Sequence, residues 1–388
     1  MFSQTRFINP PLIIHLVAAL LAPAKYVSGR FSSSATTNLA VYWGQNSFNQ
    51  ATSQRRLADY CKDIEINVCH PLPVRYDSSH AFQIIPLAFL VTIRNPTVNF
   101  ANAGDNCTVI TGSTLLSCPQ LEEDIMACQG TYGKTIMLSI GGSTYAEGGF
   151  PSDAAAIAAA ESIWAAFGPV QPAGGYSRPF GTSVVDGFDL DFESPVQNMV
   201  PFVERLRVLM DAAMTSGGKA YYLSAAPQCP FPDIANNDLL TSNISFDFIS
   251  VQFYNNFCGV ASFDTVAGTP SAFNFDEWDR WAQTSANPRT KILLGILANT
   301  GAGRGYVPSS ALGPILSYCR QFSSFGGVMM WDMSQLHENA PFLGDVATEL
   351  RQESPSGQSS TAAGPAIPTR QLGFMRVCGT VYSRSATT

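Results

Sequence analysis

An α/β chain closed into a (β/α)8 barrel of the TIM type, in a single domain, is what this sequence predicts, and three observations carry that expectation. Eight short apolar runs recur along the chain, most of them ending in polar or Gly-rich residues, and helix-like periods separate them. The runs are near-continuous in apolar residues, as strands are when helices cover both faces of a parallel sheet. Eight strand–helix repeats are the number that closes such a sheet on itself.

The runs are Leu39 to Trp43, Ile84 to Leu90, Thr135 to Gly141, Val184 to Glu193, Tyr221 to Pro227, Phe248 to Tyr254, Lys291 to Leu297 and Gly327 to Met333. Leu57 and Cys61, one helical turn apart, mark the first helix, and Leu121, Ile125 and Cys128 mark the second. An Ala-rich run from Ala154 to Ala166 forms the third, and Phe202, Leu206, Leu209 and Ala213 the fourth. Phe275 to Trp281 and Leu312 to Phe322 supply two more.

Residues 1–24 have the features of a secretory signal peptide: Arg6, an apolar run from Leu12 to Ala22 broken by His15, then the small residues around Pro23. That run is too short to span a bilayer, and no membrane span is expected elsewhere. Residues 25–37 form a Ser/Thr-rich lead-in, 38–350 the barrel, and 351–388 a Ser-, Gly-, Thr- and Pro-rich flexible tail. Export also suits the acceptor patterns Asn106-Cys107-Thr108 and Asn243-Ile244-Ser245. The expected location is extracellular or cell-wall associated.

Charged residues make up 13% of the chain and apolar residues 46%, so a large core is available. The net charge is -7 and no Lys/Arg cluster occurs, which excludes a nucleic-acid footprint. An uncharged partner fits better, and a monomer is expected.

The fourth run, VVDGFDLDFES, holds Asp186, Asp189, Asp191 and Glu193 among residues suited to a buried strand. Side chains alternate faces, so Asp189, Asp191 and Glu193 point one way, roughly 7 Å apart along the strand, while Leu190 and Phe192 point the other. Asp186 has the opposite parity and receives a supporting role. Three carboxyls on one edge cannot all be ionised cheaply, so neighbours share protons and some pKa values rise. The run lies where barrel enzymes keep their chemistry, at the C-terminal end of a strand. Calcium loops, by contrast, carry their acids in a Gly-containing turn rather than between Phe and Leu.

Other strand ends bear Tyr42, Trp43, Gln45, Gly141, Gly142, Gln252, Tyr254 and Trp331, aromatics and amides that suit sugar rings. The four histidines, at 15, 70, 80 and 337, fall in no motif, so neither a metal site, a cofactor nor a Ser-His-Asp triad is expected. The glycines of SIGGS lack the Lys and spacing of a phosphate loop, and are expected to let the chain pass close to a sugar.

Nine cysteines suggest disulfides and leave at least one thiol over. Cys61 and Cys128 lie on inward faces of adjacent helices, Cys107 and Cys118 close a short loop, and Cys229 and Cys258 follow adjacent strands. This topology allows the pairs Cys61–Cys128, Cys107–Cys118 and Cys229–Cys258, with Cys69, Cys319 and Cys378 left over.

The motifs LAVYWGQNS, LSIGGSTY, VDGFDLDFE, LSAAPQCPFPD, VQFYNNFC and GGVMMWD, in this order, resemble those of class III chitinases of plants and fungi, in glycoside hydrolase family 18. The resemblance covers roughly residues 38 to 350 and places motifs on six of the eight strands. It implies a secreted endochitinase that hydrolyses β-1,4-linked N-acetylglucosamine in chitin or chitooligosaccharides by a retaining, substrate-assisted route. In that scheme Glu193 is the general acid and the sugar's own acetamido oxygen is the nucleophile. Asp191 holds the acetamido N–H, with Asp189 behind it sharing a proton. Tyr254 orients the acetamido carbonyl, beside Gln252. Trp331 floors the site of cleavage, and Tyr42, Gln45 and Asn99 contact substrate or shape the cleft.

Residue spacing alone also admits a covalent route with an enzyme nucleophile; the resemblance selects the acetamido group. Two other functions remain compatible with the scaffold, a chitin-binding lectin or inhibitor without turnover and an endo-β-N-acetylglucosaminidase acting on N-glycans. The presence of all four of Glu193, Asp191, Asp189 and Tyr254 favours the enzyme. Residues 67–83 form an insert relative to the family pattern, expected in a loop opposite the active site, and the ending from Gln371 to Thr388 is also unfamiliar.

Overall fold

The computed structural model describes residues 30–62, 82–171 and 174–352. Eight parallel strands form the barrel: β1 Asn38–Val41, β2 Ile84–Thr92, β3 Thr135–Gly141, β4 Gly187–Asp191, β5 Tyr222–Ala225, β6 Phe248–Gln252, β7 Lys291–Leu297 and β8 Phe325–Trp331. Neighbours in sequence are neighbours in the sheet, from β2 through to β8. Closure comes from β1, which pairs with β8 at Val41↔Met330 and with β2 at Ala40↔Ile84 and Trp43↔Leu87.

The helices between strands are α1 Leu57–Lys62, α2 Pro119–Gly130, α3 Asp153–Phe167, α4 Met199–Thr215, α5 Asn237–Thr241, α6 Phe275–Thr284 and α7 Leu312–Cys319, and all but α5 follow the expected periods. Local signals fix several ends. Pro119 opens α2, where its missing N–H costs nothing, and Ser152 caps α3 by accepting from the Ala155 amide. The short α5 left no periodic signal, because five residues make barely more than one turn. After β8 the chain adds α8 Met333–His337 and α9 Pro341–Arg351, both beyond the predicted repeats.

Two apolar layers result from strand alternation. One residue set, including Ala40, Ile84, Met137, Phe248, Leu293 and Met329, fills the barrel interior. The other, including Val41, Leu138, Phe188, Leu190, Phe192 and Phe202, lies between barrel and helices. On β4 this alternation sends Phe188, Leu190 and Phe192 outward and leaves the intervening acids inside. Burial of each such aromatic contributes about 1.5–3 kcal/mol.

Part of the lead-in belongs to the fold. Phe31 packs on Phe248 at 4.8 Å and Tyr222 at 5.2 Å, and its amide donates to Thr135 Oγ1. It thereby seals the N-terminal end of the barrel. The signal-peptide residues and the tail from residue 353 lie outside the described residues. So do residues 67–81 of the insert. The chain re-enters at Phe82 and Gln83, where Gln83 and Leu39 exchange hydrogen bonds at the N-terminal end of β2.

All three expected disulfides are present. Cys61–Cys128 joins α1 to α2, Cys107–Cys118 closes the loop before α2, and Cys229–Cys258 ties the loop after β5 to the loop after β6. Cys319 is buried and unpaired, while Cys69 and Cys378 lie outside the described residues. Among the described residues no helix is long and apolar enough to cross a membrane, and no group of three His, Cys, Asp or Glu is placed to hold a metal.

Candidate active site

The acids of β4 meet residues from most of the barrel at its C-terminal end. Asp189 is fully buried, and in register it faces Ser139 of β3 on one side and Ser224 of β5 on the other. Its Oδ2 accepts from the Tyr42 hydroxyl and from Ser139 Oγ, both at 2.6 Å, and its Oδ1 from Ser224 Oγ at 2.6 Å. Burial pushes its pKa above the ordinary carboxylate range, and the three hydroxyl donors pull it back. Both oxygens are therefore occupied by hydroxyls. Its charge in turn helps to raise the pKa of Asp191.

Asp191, one pleat further along, is also buried, and its Oδ1 accepts from Gln252 Nε2 at 2.9 Å. Burial, then the charges of Glu193, Asp189 and Asp233, pushes its pKa well above the ordinary value. Glu193 lies past the strand end, exposed, with no hydrogen bond or ion pair to any described residue. Desolvation within the site and the Asp233 charge raise its pKa as well. Tyr254 follows β6 with its ring buried, and its hydroxyl makes no hydrogen bond to a described residue. Burial and then Asp191, Glu193, Asp189 and Asp332 hold that phenol well above its usual pKa, so it stays a neutral donor.

The rest of the predicted set divides in three. Gln252 spends both amide hydrogens on Asp191 and on the Ala226 carbonyl, which makes it a brace for Asp191. Trp331 is half-buried at the end of β8, stacked on Phe89 at 5.9 Å and packed against Tyr42 at 5.5 Å, so an aromatic cluster stands at that strand end. Asn99 is exposed at the rim, and its Oδ1 caps the Ala101 amide.

Three further positions take their roles from the protein around them. Tyr42 is 1% exposed and its hydroxyl is committed to Asp189, so it supports the site from beneath instead of facing a ligand. Gln45 donates to the Ala88 and Asn99 carbonyls at 2.8 and 3.0 Å and so pins the rim loops, the cleft-shaping half of its expected role. Gly141 and Gly142, at φ +119° and +81°, do serve close approach, but to protein: a Cβ on Gly141 would strike the Asp191 carbonyl, and one on Gly142 the Phe89 ring. The supporting residue Asp186 sits at the opposite end of β4. There it pairs with Lys219 at 2.7 Å and accepts from Gln129 and the Ile136 amide, joining α2, β3 and the approach to β5.

Ser139, Ser224, Asp233 and Asn236 were not singled out from sequence. The first two are readable once register is known, because they stand directly across from Asp189. Asp233 and Asn236 come from the loop after β5, whose partners no periodicity reveals.

Unpaired carboxyls and a neutral phenol at the C-terminal rim of a parallel barrel define an enzyme of acid–base chemistry on the (β/α)8 scaffold. The model of the glycosyl hydrolases family 18 matches residues 38–305. With that match over most of its length, the chain belongs to glycosyl hydrolase family 18. It is 46% identical over 336 residues to Endochitinase 33 of Trichoderma harzianum, covering 86% of this chain and 98% of that protein. A class III chitinase of Arthroderma benhamiae is 43% identical over 339 residues, covering 86% and 91%. Among solved structures, a chitinase of Ipomoea carnea superposes with a TM-score of 0.61 at 24% identity, over 80% of this chain and 99% of that one, a likeness of fold.

Proposed function

We propose that this protein is a secreted endochitinase that cleaves β-1,4 linkages between N-acetylglucosamine units with retention of configuration. The observation that carries the reading is the set of polar groups left without protein partners: Asp191 Oδ2, the Glu193 carboxyl and the Tyr254 hydroxyl. A pyranose over Trp331 would find its hydrogen-bonding needs met there. Relatives named as endochitinase and class III chitinase, matched over nearly their whole length, agree with it.

In this scheme the protonated Glu193 donates its proton to the glycosidic oxygen as the C1–O bond breaks. The acetamido oxygen of the same sugar attacks C1 and forms a cyclic oxazolinium ion. Asp191 takes up the acetamido N–H and the positive charge that spreads onto it, while the Tyr254 hydroxyl donates to the acetamido oxygen. Departure of the leaving sugar admits water, and the Glu193 carboxylate removes a proton from it as it attacks C1. Two inversions at C1 return the β configuration. Asp189 acts through Asp191, held at a set distance by its three hydroxyl donors.

The three disulfides and the fungal relatives suit an extracellular location, and the exposed Asn106 and Asn243 are open to glycan transfer. The test is mass spectrometry of N-acetylglucosamine oligomers incubated with the purified protein, beside a high-mannose glycoprotein. Shortened oligomers with intact glycoprotein support the proposal. Binding without cleavage would instead point to a lectin or inhibitor, and glycan release to an endo-β-N-acetylglucosaminidase.

A further inference from the structure

The loop between β5 and α5 places one more carboxylate behind the proposed acid. Asp233 is 3% exposed. Its Oδ2 accepts from the Gln228 amide at 2.8 Å and from Asn236 Nδ2 at 3.0 Å, and its Oδ1 accepts from the Ala235 amide at 2.8 Å. All three partners are N–H donors. No cation is paired with the group among the described residues, so three N–H donors, and no opposite charge, surround the carboxylate.

Asn236 connects this carboxylate to the catalytic strand. Its side chain is fully buried, and Nδ2 gives one hydrogen to Asp233 and the other to the carbonyl of Phe192, at 2.9 Å. That carbonyl belongs to the peptide unit that continues into Glu193. The loop itself is held firmly, by Cys229–Cys258, by the Asn274 and Trp278 side chains on the Cys229 carbonyl, and by Asn256 on Gln228.

We propose that Asp233 is a positioning residue for the hydrolysis, a fixed charge, one amide bridge from the Glu193 backbone, that keeps the Glu193 carboxyl protonated until it meets the glycosidic oxygen. The inference rests on the function proposed above. Of the other ionisable groups, Asp191 and Tyr254 feel the Glu193 charge, and these two in turn face Asp189 of β4, Tyr42 just beyond β1 and, for Tyr254, Asp332 beyond β8. Tyr145, from the loop after β3, packs on Phe192, with Arg94 and Glu147 paired to each other nearby. No Lys or Arg among the described residues is ion-paired with Glu193. A neighbouring anion favours the neutral form of a carboxylic acid, and the Asp233 charge acts on Glu193 and Asp191 alike in this direction.

The sign of the effect makes it testable. Without the negative charge Glu193 gives up its proton at lower pH, so the alkaline limb of kcat/KM moves toward acid. Asp233→Asn is expected to shift that limb down by about 0.5 to 1 pH unit, with the acid limb less affected. Asp233→Ser, neutral and smaller, is the second variant and is expected to move it likewise. Asp233→Glu, which restores a charge, should return the limb to the wild-type position even if kcat is reduced. Profiles on a fluorogenic N-acetylglucosamine oligomer, with thermal melting as a check on folding, decide the matter. An unmoved alkaline limb in the folded neutral variants, an equal displacement in Asp233→Glu, or failure of both neutral variants to fold overturns the proposal. If wild-type protein fails to hydrolyse the oligomer, it is the underlying function that fails; if wild type turns over through Glu193 and the profiles coincide, the role of Asp233 alone is refuted.

Discussion

Gln252 Nε2 donates to Asp191 Oδ1 at 2.9 Å and holds that carboxyl in place while its second oxygen stays free of protein partners. The other amide hydrogen is anchored on the Ala226 carbonyl at 3.0 Å. Gln252→Leu removes both bonds from a buried setting, at a cost of about 1–3 kcal/mol for each polar group left unsatisfied. A lower melting temperature and a drop in kcat larger than the change in KM are expected, read by calorimetry and steady-state kinetics.

Glu193→Gln keeps the shape of the side chain and removes its exchangeable acidic proton. General acid–base groups contribute about 10²–10⁴-fold to rate, so kcat should fall by that order while oligosaccharide binding, measured by titration calorimetry, is largely kept. Turnover at the wild-type rate would show that another group donates the proton.

Anomeric configuration checks the route at C1. Proton NMR during the first seconds of hydrolysis should record the β anomer, with α appearing only through mutarotation. An initial α product would exclude retention and with it the acetamido nucleophile.

The folded protein holds protons on Asp189, Asp191 and Glu193 more tightly than the unfolded chain does, since all three are raised in the native state. Groups raised on folding stabilise fully below their unfolded values, 3.8 for Asp, and lose this contribution as pH climbs through the folded values. Asp191→Asn removes one of these. Its melting temperature should therefore decline less than that of wild type as pH is raised from mildly acidic to alkaline, and an identical decline would show that Asp191 is not the titrating group.

The Cys229–Cys258 bond spans 29 residues, a loop whose closure stabilises by about 3–4 kcal/mol in the chain-entropy model. Replacing both cysteines by Ser should lower the melting temperature by several degrees. Activity should fall further than stability explains, because the bond joins the Asp233 loop to the Tyr254 loop; unchanged kcat in the folded variant would argue against that coupling.

Strand count, strand order and the parity of the β4 acids were legible from the sequence because they rest on local periodicity. Two-residue alternation alone puts Asp189 and Asp191 inside and Phe188, Leu190 and Phe192 outside, and that is how they stand. Helices of ten residues or more left readable stripes, whereas the single turn of α5 did not. The cysteine pairs were legible because barrel topology makes sequence neighbours into spatial ones.

What the sequence determined by itself, then, was the barrel and which chemical groups line its rim, since both follow from the order of residue types along the chain. The tertiary structure alone decided how each group is employed. Tyr42 became a donor to Asp189, Gln252 a brace for Asp191, and Asn236 a bridge between the Asp233 carboxylate and the Phe192 carbonyl, since hydrogen-bond partners are set by inter-strand register and loop closure. Those relations join residues as much as 147 positions apart, and no pattern along the chain encodes a distance between side chains on different strands.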